Sequence, residues 1–146
     1  MAGIDEVRNF LADEHGLATV STVQASGHVL SSVVNCGVVD HPTTGEPCVA
    51  LVSGGSAARL GHIRRGSPAT VAVRRGWTWR SVSGPATIIG PDDEADMSAD
   101  DIRLLVRGVY QAAGGEHDDY DEFDRVMLED RRAAVFVTPN RIRGNG

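Results

Sequence analysis

Residues 17 to 39 read LATVSTVQASGHVLSSVVNCGVV and contain two β-strand patterns joined by a tight turn. The first pattern, Leu17 to Val23, is rich in β-branched residues, and the second runs from His28 to Val39. Between them, Ala25-Ser26-Gly27 is typical of a tight hairpin turn. The stretch therefore predicts a long β-hairpin.

The sequence on either side of this hairpin predicts further short strands and a few helices. An amphipathic helix begins at Ile4 and is ended by Gly16. Three more helices are predicted: the arginine-rich segment after residue 53, residues 98–113 with Ser98 as N-cap, and a short helix through Met127 and Leu128. The remaining predicted strands are Cys48 to Val52, Ala69 to Arg74, Thr78 to Ile89 and Ala133 to Thr138, and residues 139–146 are predicted to be a tail. Five or six strands in hairpin order predict an α+β fold built on an antiparallel β-barrel, not a βαβ fold.

Length and composition predict one globular domain over residues 1–146. The chain has 41% hydrophobic and 23% charged residues and a net charge of −6. This acidity argues against a nucleic-acid partner, since such proteins normally carry a basic face. No apolar run approaches the roughly 20 residues that cross a membrane. The acidic N-terminal segment resembles neither a signal peptide nor a transit peptide, so we expect a cytoplasmic protein.

The reactive residue types exclude several chemistries. The two cysteines, Cys36 and Cys48, lie in apolar strand patterns and are predicted to be buried free thiols, with no spacing typical of zinc. All 14 basic residues are arginine, so covalent attachment of pyridoxal phosphate through a lysine of this chain is excluded. No nucleophile–base motif indicates a hydrolase.

The segment from Ser53 to Arg65, SGGSAARLGHIRR, indicates an anion site. Its glycines let the backbone approach a ligand, and a following helix N-terminus would present free N–H groups. The arginines add planar donors suited to phosphate or carboxylate oxygens. The alternative is a simple strand-to-helix turn with a solvated arginine face.

Two other segments admit a functional and a structural interpretation. The residues Gly76-Trp77-Thr78-Trp79 place two aromatic rings in a hairpin where they could stack on a ligand, or else fill the core or a dimer interface. The acidic run from Gly115 to Asp124 could bind a divalent cation, but it lacks the pattern of a calcium loop. We favour a solvated helix start there, with Tyr120, Phe123 and Met127 buried, and we predict no metal site.

Taken in order, these motifs resemble the split β-barrel flavin and deazaflavin oxidoreductases, the pyridoxamine-phosphate-oxidase-like superfamily. Within it, the chain is most similar to the actinobacterial branch that uses coenzyme F-420. The resemblance covers nearly the whole chain, through the segments ATVSTVQASGHVLSSV, RLGHIRRGSP, GWTWRSVSGPATI, GGEHDDYDEF and DRRAAVFVTPNRIRGN.

The resemblance implies a set of cofactor-binding residues. The phosphate-binding helix of the family usually reads Lys-x-x-Asn-Leu-Arg-Arg, so Arg59 takes the place of the lysine and His62 that of the asparagine. Arginine keeps the charge with a planar fork, whereas histidine replaces an amide with a titratable donor. The other residues implied at the site are Ser31, Ser32, Val52, Ser53, Gly54, Ser56, Gly76, Trp77 and Arg132.

A small barrel often closes its exposed strand edges by pairing with a second copy, so we expect a homodimer, with the cofactor at or near the subunit interface. The resemblance also implies a function. The expected activity is hydride transfer from reduced coenzyme F-420 to a conjugated small molecule such as an enone, quinone, nitroaromatic or tetrapyrrole. One alternative is an FMN-dependent oxidase or reductase of the same fold. The other is a binding or carrier protein without turnover, since no proton donor or other catalytic residue is evident.

Overall fold

The computed structural model describes residues 3–93 and 95–146, which form four helices and eight strands. The helices are α1 (Ile4–Asp13), α2 (Ala58–Arg64), α3 (Ala99–Ala112) and α4 (Tyr120–Glu129). The strands are β1 (Leu17–Val23), β2 (Val29–Asp40), β3 (Pro47–Ser53), β4 (Ala69–Arg75), β5 (Thr78–Gly84), β6 (Ala86–Ile89), β7 (Ala133–Val137) and β8 (Arg141–Gly144).

All strand pairs are antiparallel, in the order β6-β7-β3-β2-β1-β4-β5-β8. The sheet curls into an antiparallel split barrel with helices packed against it, which confirms the predicted fold class. The opening hairpin is also confirmed: β1 pairs with β2 from Leu17↔Asn35 to Val23↔Val29.

The prediction of one strand from Thr78 to Ile89 was wrong. The chain bends at Gly84-Pro85, where β5 ends and β6 begins, and the two strands pair near opposite ends of the sheet. A Cβ atom at Gly84 would lie 1.8 Å from the carbonyl oxygen of Thr138, so only glycine fits this crossing. Proline then removes a backbone donor and fixes φ, which ends the strand pairing. This bend joins the two ends of the curled sheet.

Residues 139–146 were predicted to be a tail, and this too was wrong for part of them. Arg141–Gly144 forms β8, which pairs with β5 from Ser83↔Arg141 to Arg80↔Gly144. Its sequence, RIRG, has only one apolar residue, so its pairing depends on the exposed edge of β5 and not on a local pattern. With β5 and β6 separate, the structure has eight strands, against the predicted five or six.

The core has two parts, on the two sides of β3 and β7. The barrel interior holds alternate residues of the strands together with Val7, Phe10 and Leu11 of α1 and Leu60 and Ile63 of α2. On the outside, Val106 and Val109 of α3 pack against Phe136 and its neighbours. Helix α2 therefore covers the barrel interior, while α3 and α4 lie outside it.

The two glycines Gly84 and Gly108 give opposite predictions for the same substitution. Gly84→Ala should lower the free energy of unfolding by about 3 kcal/mol, because a methyl group meets backbone that cannot yield. Gly108→Ala should raise it by about 0.5–1 kcal/mol, because Gly108 lies within α3 with no atom near its Cβ position. Urea unfolding followed by circular dichroism measures both, and equal effects at the two positions would contradict the crossing at Gly84.

Candidate functional site

The candidate site is organised by a change of partner along β2. Residues 29–35 of β2 pair with β1, and residues 36–40 pair with β3. Among the residues that the structure describes, no strand pairs with 29–35 on the side away from β1. Beyond the pair Cys36↔Leu51, β2 and β3 therefore separate. We call this opening the split.

The side chain of Arg59, from α2, bridges the split. Its Nη2 donates to the hydroxyl of Ser32 on β2 at 2.7 Å, and its Nη1 donates to the hydroxyl of Ser53 on β3 at 3.0 Å. Three residues of the predicted set are thus brought together. A guanidinium has five N–H donors, so these two hydrogen bonds leave donor capacity for a ligand.

The environment of Arg59 differs from that of the other arginines. Nine of the fourteen lie in ion pairs with carboxylates. In the described part of the chain, Arg59, Arg65, Arg74, Arg141 and Arg143 have no such pair, and of these five only Arg59 is not exposed. A half-buried cation without an anion is costly, so a bound anion would stabilise it.

Burial shifts the pKa values of Arg59 and of the nearby Cys36 thiol. Burial lowers the pKa of the Arg59 guanidinium, which still remains charged at neutral pH. Burial also raises the pKa of the Cys36 thiol to about 12, although the nearby Arg59 charge opposes that rise. The thiol is therefore neutral and unsuited to act as a nucleophile or metal ligand. Both cysteines are buried and free, as predicted.

A cavity of about 720 Å³ adjoins the split, and we call it the cleft cavity. It contains two further residues of the predicted set, Val52 of β3 and Arg132 before β7. Arg132 has only a long contact with Asp130, at 3.4 Å. The other lining residues are Val33, Val34, Asn35, Tyr110, Ala113, Gly114, Gly115, Glu116 and Met127. The wall is of mixed polar and apolar character, and the volume lies in the range of small-molecule sites.

The loop after β3 packs against the residues that follow α4. The N–H of Gly55 donates to the carbonyl oxygen of Asp130 at 3.1 Å, and a Cβ atom at Gly55 would lie 2.6 Å from the carbonyl oxygen of Arg131. Gly55 is therefore required for packing. Gly54 has no atom within 4 Å of its Cβ position, and Ser56 is exposed, so both face open space beside the split.

Four residues of the predicted set lie away from the split within one chain. His62 is buried, and its Nδ1 lies 2.9 Å from the hydroxyl of Thr22. Ser31 is on the opposite face of β2 from Ser32 and pairs with the hydroxyl of Ser21 at 2.8 Å. Gly76, at φ +63°, and Trp77 form the turn at the far end of β4, about 20 Å along this seven-residue strand from Ala69.

One surface feature was not found from the sequence. Apolar side chains on the outside of β1, β2 and β5 are exposed, and we call this surface the outer face: Leu17, Val23, Val29, Val33 and Trp79. Trp77, next to it in the β4–β5 turn, is 94% exposed. The sequence does carry a signal for the outer face: β1 and β2 have apolar residues on both of their faces, which indicates burial on both sides of the sheet.

The sequence interpretation of the acidic run is consistent with the structure. Asp119 caps α4 by accepting from the N–H groups of Asp121 and Glu122. Phe123 is buried, while Tyr120 and Met127 are partly buried.

Within 3–93 and 95–146, no three His, Cys, Asp or Glu side chains group to hold a metal ion. No helix in those ranges is long and apolar enough to cross a membrane.

No protein-family model matches the chain. Solved structures do match it. A conserved hypothetical protein from Mycobacterium tuberculosis superposes with a TM-score of 0.70 at 16% identity, over 99% of this chain and 84% of that one. A pyridoxamine 5'-phosphate oxidase-related, FMN binding protein from Nostoc punctiforme gives 0.60 at 11% identity, over 97% and 81%. HutZ, the heme storage protein from Vibrio cholerae, gives 0.56 at 12% identity, over 98% and 94%.

These identities are low, so the matches show the fold. The chain has the split-barrel fold shared by pyridoxamine-phosphate-oxidase-like and FMN-binding proteins, and heme-binding proteins share that fold.

Proposed function

We propose that this protein binds a phosphate-bearing flavin-type cofactor in the split and the cleft cavity, and that it is an oxidoreductase. The cofactor proposed from the sequence is reduced coenzyme F-420, with hydride transfer to a conjugated acceptor; FMN is the alternative. One observation carries the proposal. Arg59 is a half-buried cation with free donors and no carboxylate partner among the described residues, and Val33 and Val52, the chain neighbours of its partners Ser32 and Ser53, line a cavity of about 720 Å³.

The residues present fit such a cofactor. Arg59 offers its remaining N–H donors to a phosphate, and Arg132 adds a second guanidinium at the far side of the cleft cavity. Val33, Val34 and Val52 supply apolar walls suited to a planar ring system. When bound, a flavin or deazaflavin supplies two-electron hydride chemistry.

The part of the chain in that chemistry would be to bind, orient and shield. Arg59 fixes the phosphate end, because its guanidinium is itself held by Ser32 and Ser53. The valine walls exclude water from the ring. The hydroxyl of Tyr110, also in the cleft cavity, already donates to the carbonyl oxygen of Glu116, so we assign no proton donor.

The choice between coenzyme F-420 and FMN rests on different kinds of support. The resemblance of sequence motifs favours the deazaflavin, while the fold of the FMN-binding protein from Nostoc punctiforme supports FMN. His62 replaces the asparagine of the family motif, but its Nδ1 is hydrogen-bonded to Thr22. This supports a phosphate contact made through Arg59, with His62 as a packing residue of the barrel.

We further propose that two copies pair through the outer face. Val33 belongs both to that face and to the wall of the cleft cavity, so a second copy there would border the cofactor. The partner could then supply the Gly76-Trp77 turn, which lies far from Arg59 within one chain. Burying exposed apolar side chains of this kind is the usual driving force for a homodimer.

A binding or carrier protein without turnover is the second candidate. The heme storage protein HutZ has this fold, and no proton donor is assigned in the described residues. A protein that binds a cofactor tightly, but whose reduced cofactor no conjugated acceptor oxidises, would support this candidate.

The first prediction from the proposed function concerns the phosphate contact of Arg59. Arg59→Met should weaken binding of the preferred cofactor, FMN or coenzyme F-420, by about 30-fold, since one charge-assisted contact contributes about 2 kcal/mol. Arg59→Lys should lose less, because it keeps the charge. Titration followed by absorbance measures each dissociation constant.

Arg8→Met is the matched control for this titration, because Arg8 is an exposed arginine paired with Asp5 on α1. It should change affinity by less than twofold. Thermal unfolding of cofactor-free Arg59→Met checks that the variant is folded. Binding of neither cofactor below about 100 μM, or equal losses in Arg59→Met and Arg8→Met, would contradict the proposal.

The second prediction concerns the dimer. The wild-type protein should elute as a dimer at about 10 μM in size-exclusion chromatography with light scattering, and Leu17→Arg should be monomeric, because it places a charge in the outer face. Leu104→Arg is the matched control: Leu104 is 48% exposed against 49% for Leu17, but it lies on α3. A monomeric wild type, or equal behaviour of the two variants, would rule out pairing through this face.

A further inference from the structure

A second cavity, of about 510 Å³, lies outside the barrel. It is bordered by α3, α4 and residues 90–93 and 95–97, and we call it the helical cavity. Its volume is within the range of small-molecule sites. Nothing in the proposed cofactor function requires it.

The walls of the helical cavity are apolar. Met97, Ile102 and Val106 line one side, and Met127 and Leu128 line the other. Val106 is buried in the outer core, whereas Leu128 remains 64% exposed. An apolar ligand held here would remove such surface from water, at about 25 cal/mol for each Å² buried.

Three acidic residues line the cavity: Asp100 is exposed and lies 3.7 Å from Arg103, and the other two are held closely by arginines. Asp93 accepts two hydrogen bonds from Arg64, at 2.6 and 2.9 Å. Asp124 accepts from Arg103 at 2.7 Å and from Arg107 at 2.5 Å. These carboxylates therefore do not repel an anion as free acids would.

Arg132 is the cation at this rim with the weakest partner. Its Nε lies 3.4 Å from the carboxylate of Asp130, and both side chains are more than a third exposed. An exposed pair at this distance contributes little, so a ligand carboxylate could compete for the guanidinium. One available cation beside an apolar chamber suits a ligand with a single negative group.

We infer that the helical cavity binds a small apolar carboxylate, such as an aromatic or medium-chain acid, whose carboxylate contacts Arg132. Met127 and Arg132 also line the cleft cavity, so this ligand would lie beside the proposed cofactor and share with it the guanidinium of Arg132, which has five N–H donors. The inference stands without the cofactor, because the walls and the cation belong to the chain itself.

The experiment is calorimetric titration of the cofactor-free protein with 2-naphthoate and with its neutral analogue 2-naphthamide. Wild type should bind naphthoate with a dissociation constant below about 100 μM and naphthamide at least tenfold more weakly. Arg132→Gln should weaken naphthoate binding by about tenfold and naphthamide binding by less than twofold. Arg125→Gln is the charge control, because Arg125 is an exposed arginine on α4 that does not line the cavity. It should change the affinity for neither naphthoate nor naphthamide.

A filling variant tests the location independently of charge. Ala99 is exposed and lines the helical cavity, so Ala99→Trp should weaken naphthoate binding at least tenfold without disturbing the core. Leu104→Trp, on the same helix but outside the cavity, should leave it within twofold. No binding to wild type at 1 mM (about −4 kcal/mol), equal binding of acid and amide, or an unaffected Ala99→Trp would overturn the inference.

Ala99 does not line the cleft cavity, so the two proposals fail separately. Titrating Ala99→Trp with FMN and coenzyme F-420 should give the wild-type affinities whether or not naphthoate binds. Loss of cofactor binding in this folded variant would show that the two cavities act as one site, which would also overturn the inference.

Discussion

The structure depends on a change of pairing along β2, which leaves β1 and joins β3 at Cys36. A twelve-residue strand pairs with β1 over its first seven residues and with β3 over its last five, so the sheet must open where the partners change. The partly buried Ser32 and the buried Ser53 lie on the two strands that separate here. Arg59 links both hydroxyls, so its guanidinium is a structural bridge, and in the proposed function it is also the anchor for an anion.

Electrostatics explains why this anchor stands out in an acidic chain. Most arginines are paired with carboxylates at the surface, where such pairs contribute little. Arg59 instead is covered by the barrel and has only hydroxyl partners among the described residues. A cation held without its counter-ion is a cost to stability that a functional site typically carries. The phosphate of the proposed cofactor would supply the missing counter-ion.

Much of the fold could be predicted from the sequence, because its signals are local. Alternating β-branched residues and the Ala25-Ser26-Gly27 turn predict the first hairpin, and Ser98 predicts the start of α3. The bend at Gly84-Pro85 and the pairing of β8 could not be predicted. Each depends on what lies opposite in space: the carbonyl of Thr138 in one case and the open edge of β5 in the other.

Part of the candidate site follows from the sequence. The charge of Arg59 and its place after a glycine-rich loop indicate an anion site, and the resemblance implies Ser32 and Ser53; the structure adds that both hydroxyls accept hydrogen bonds from Arg59. The direction of His62 could not be read from spacing, because a seven-residue helix lies over the barrel and its buried face is set by packing. Trp77 follows the far end of β4, about 20 Å along the strand from Ala69, so within one chain it lies away from the split.

The most direct test of the central claim is the coupling between Arg59 and the cofactor phosphate, measured as a double-mutant cycle. Wild type and Arg59→Met are each titrated with FMN and with riboflavin, and with coenzyme F-420 and its phosphate-free chromophore. For the cofactor that the protein prefers, removing the phosphate should cost the wild type about 2 kcal/mol more than it costs Arg59→Met. If both proteins lose the same affinity when the phosphate is removed, Arg59 does not hold it.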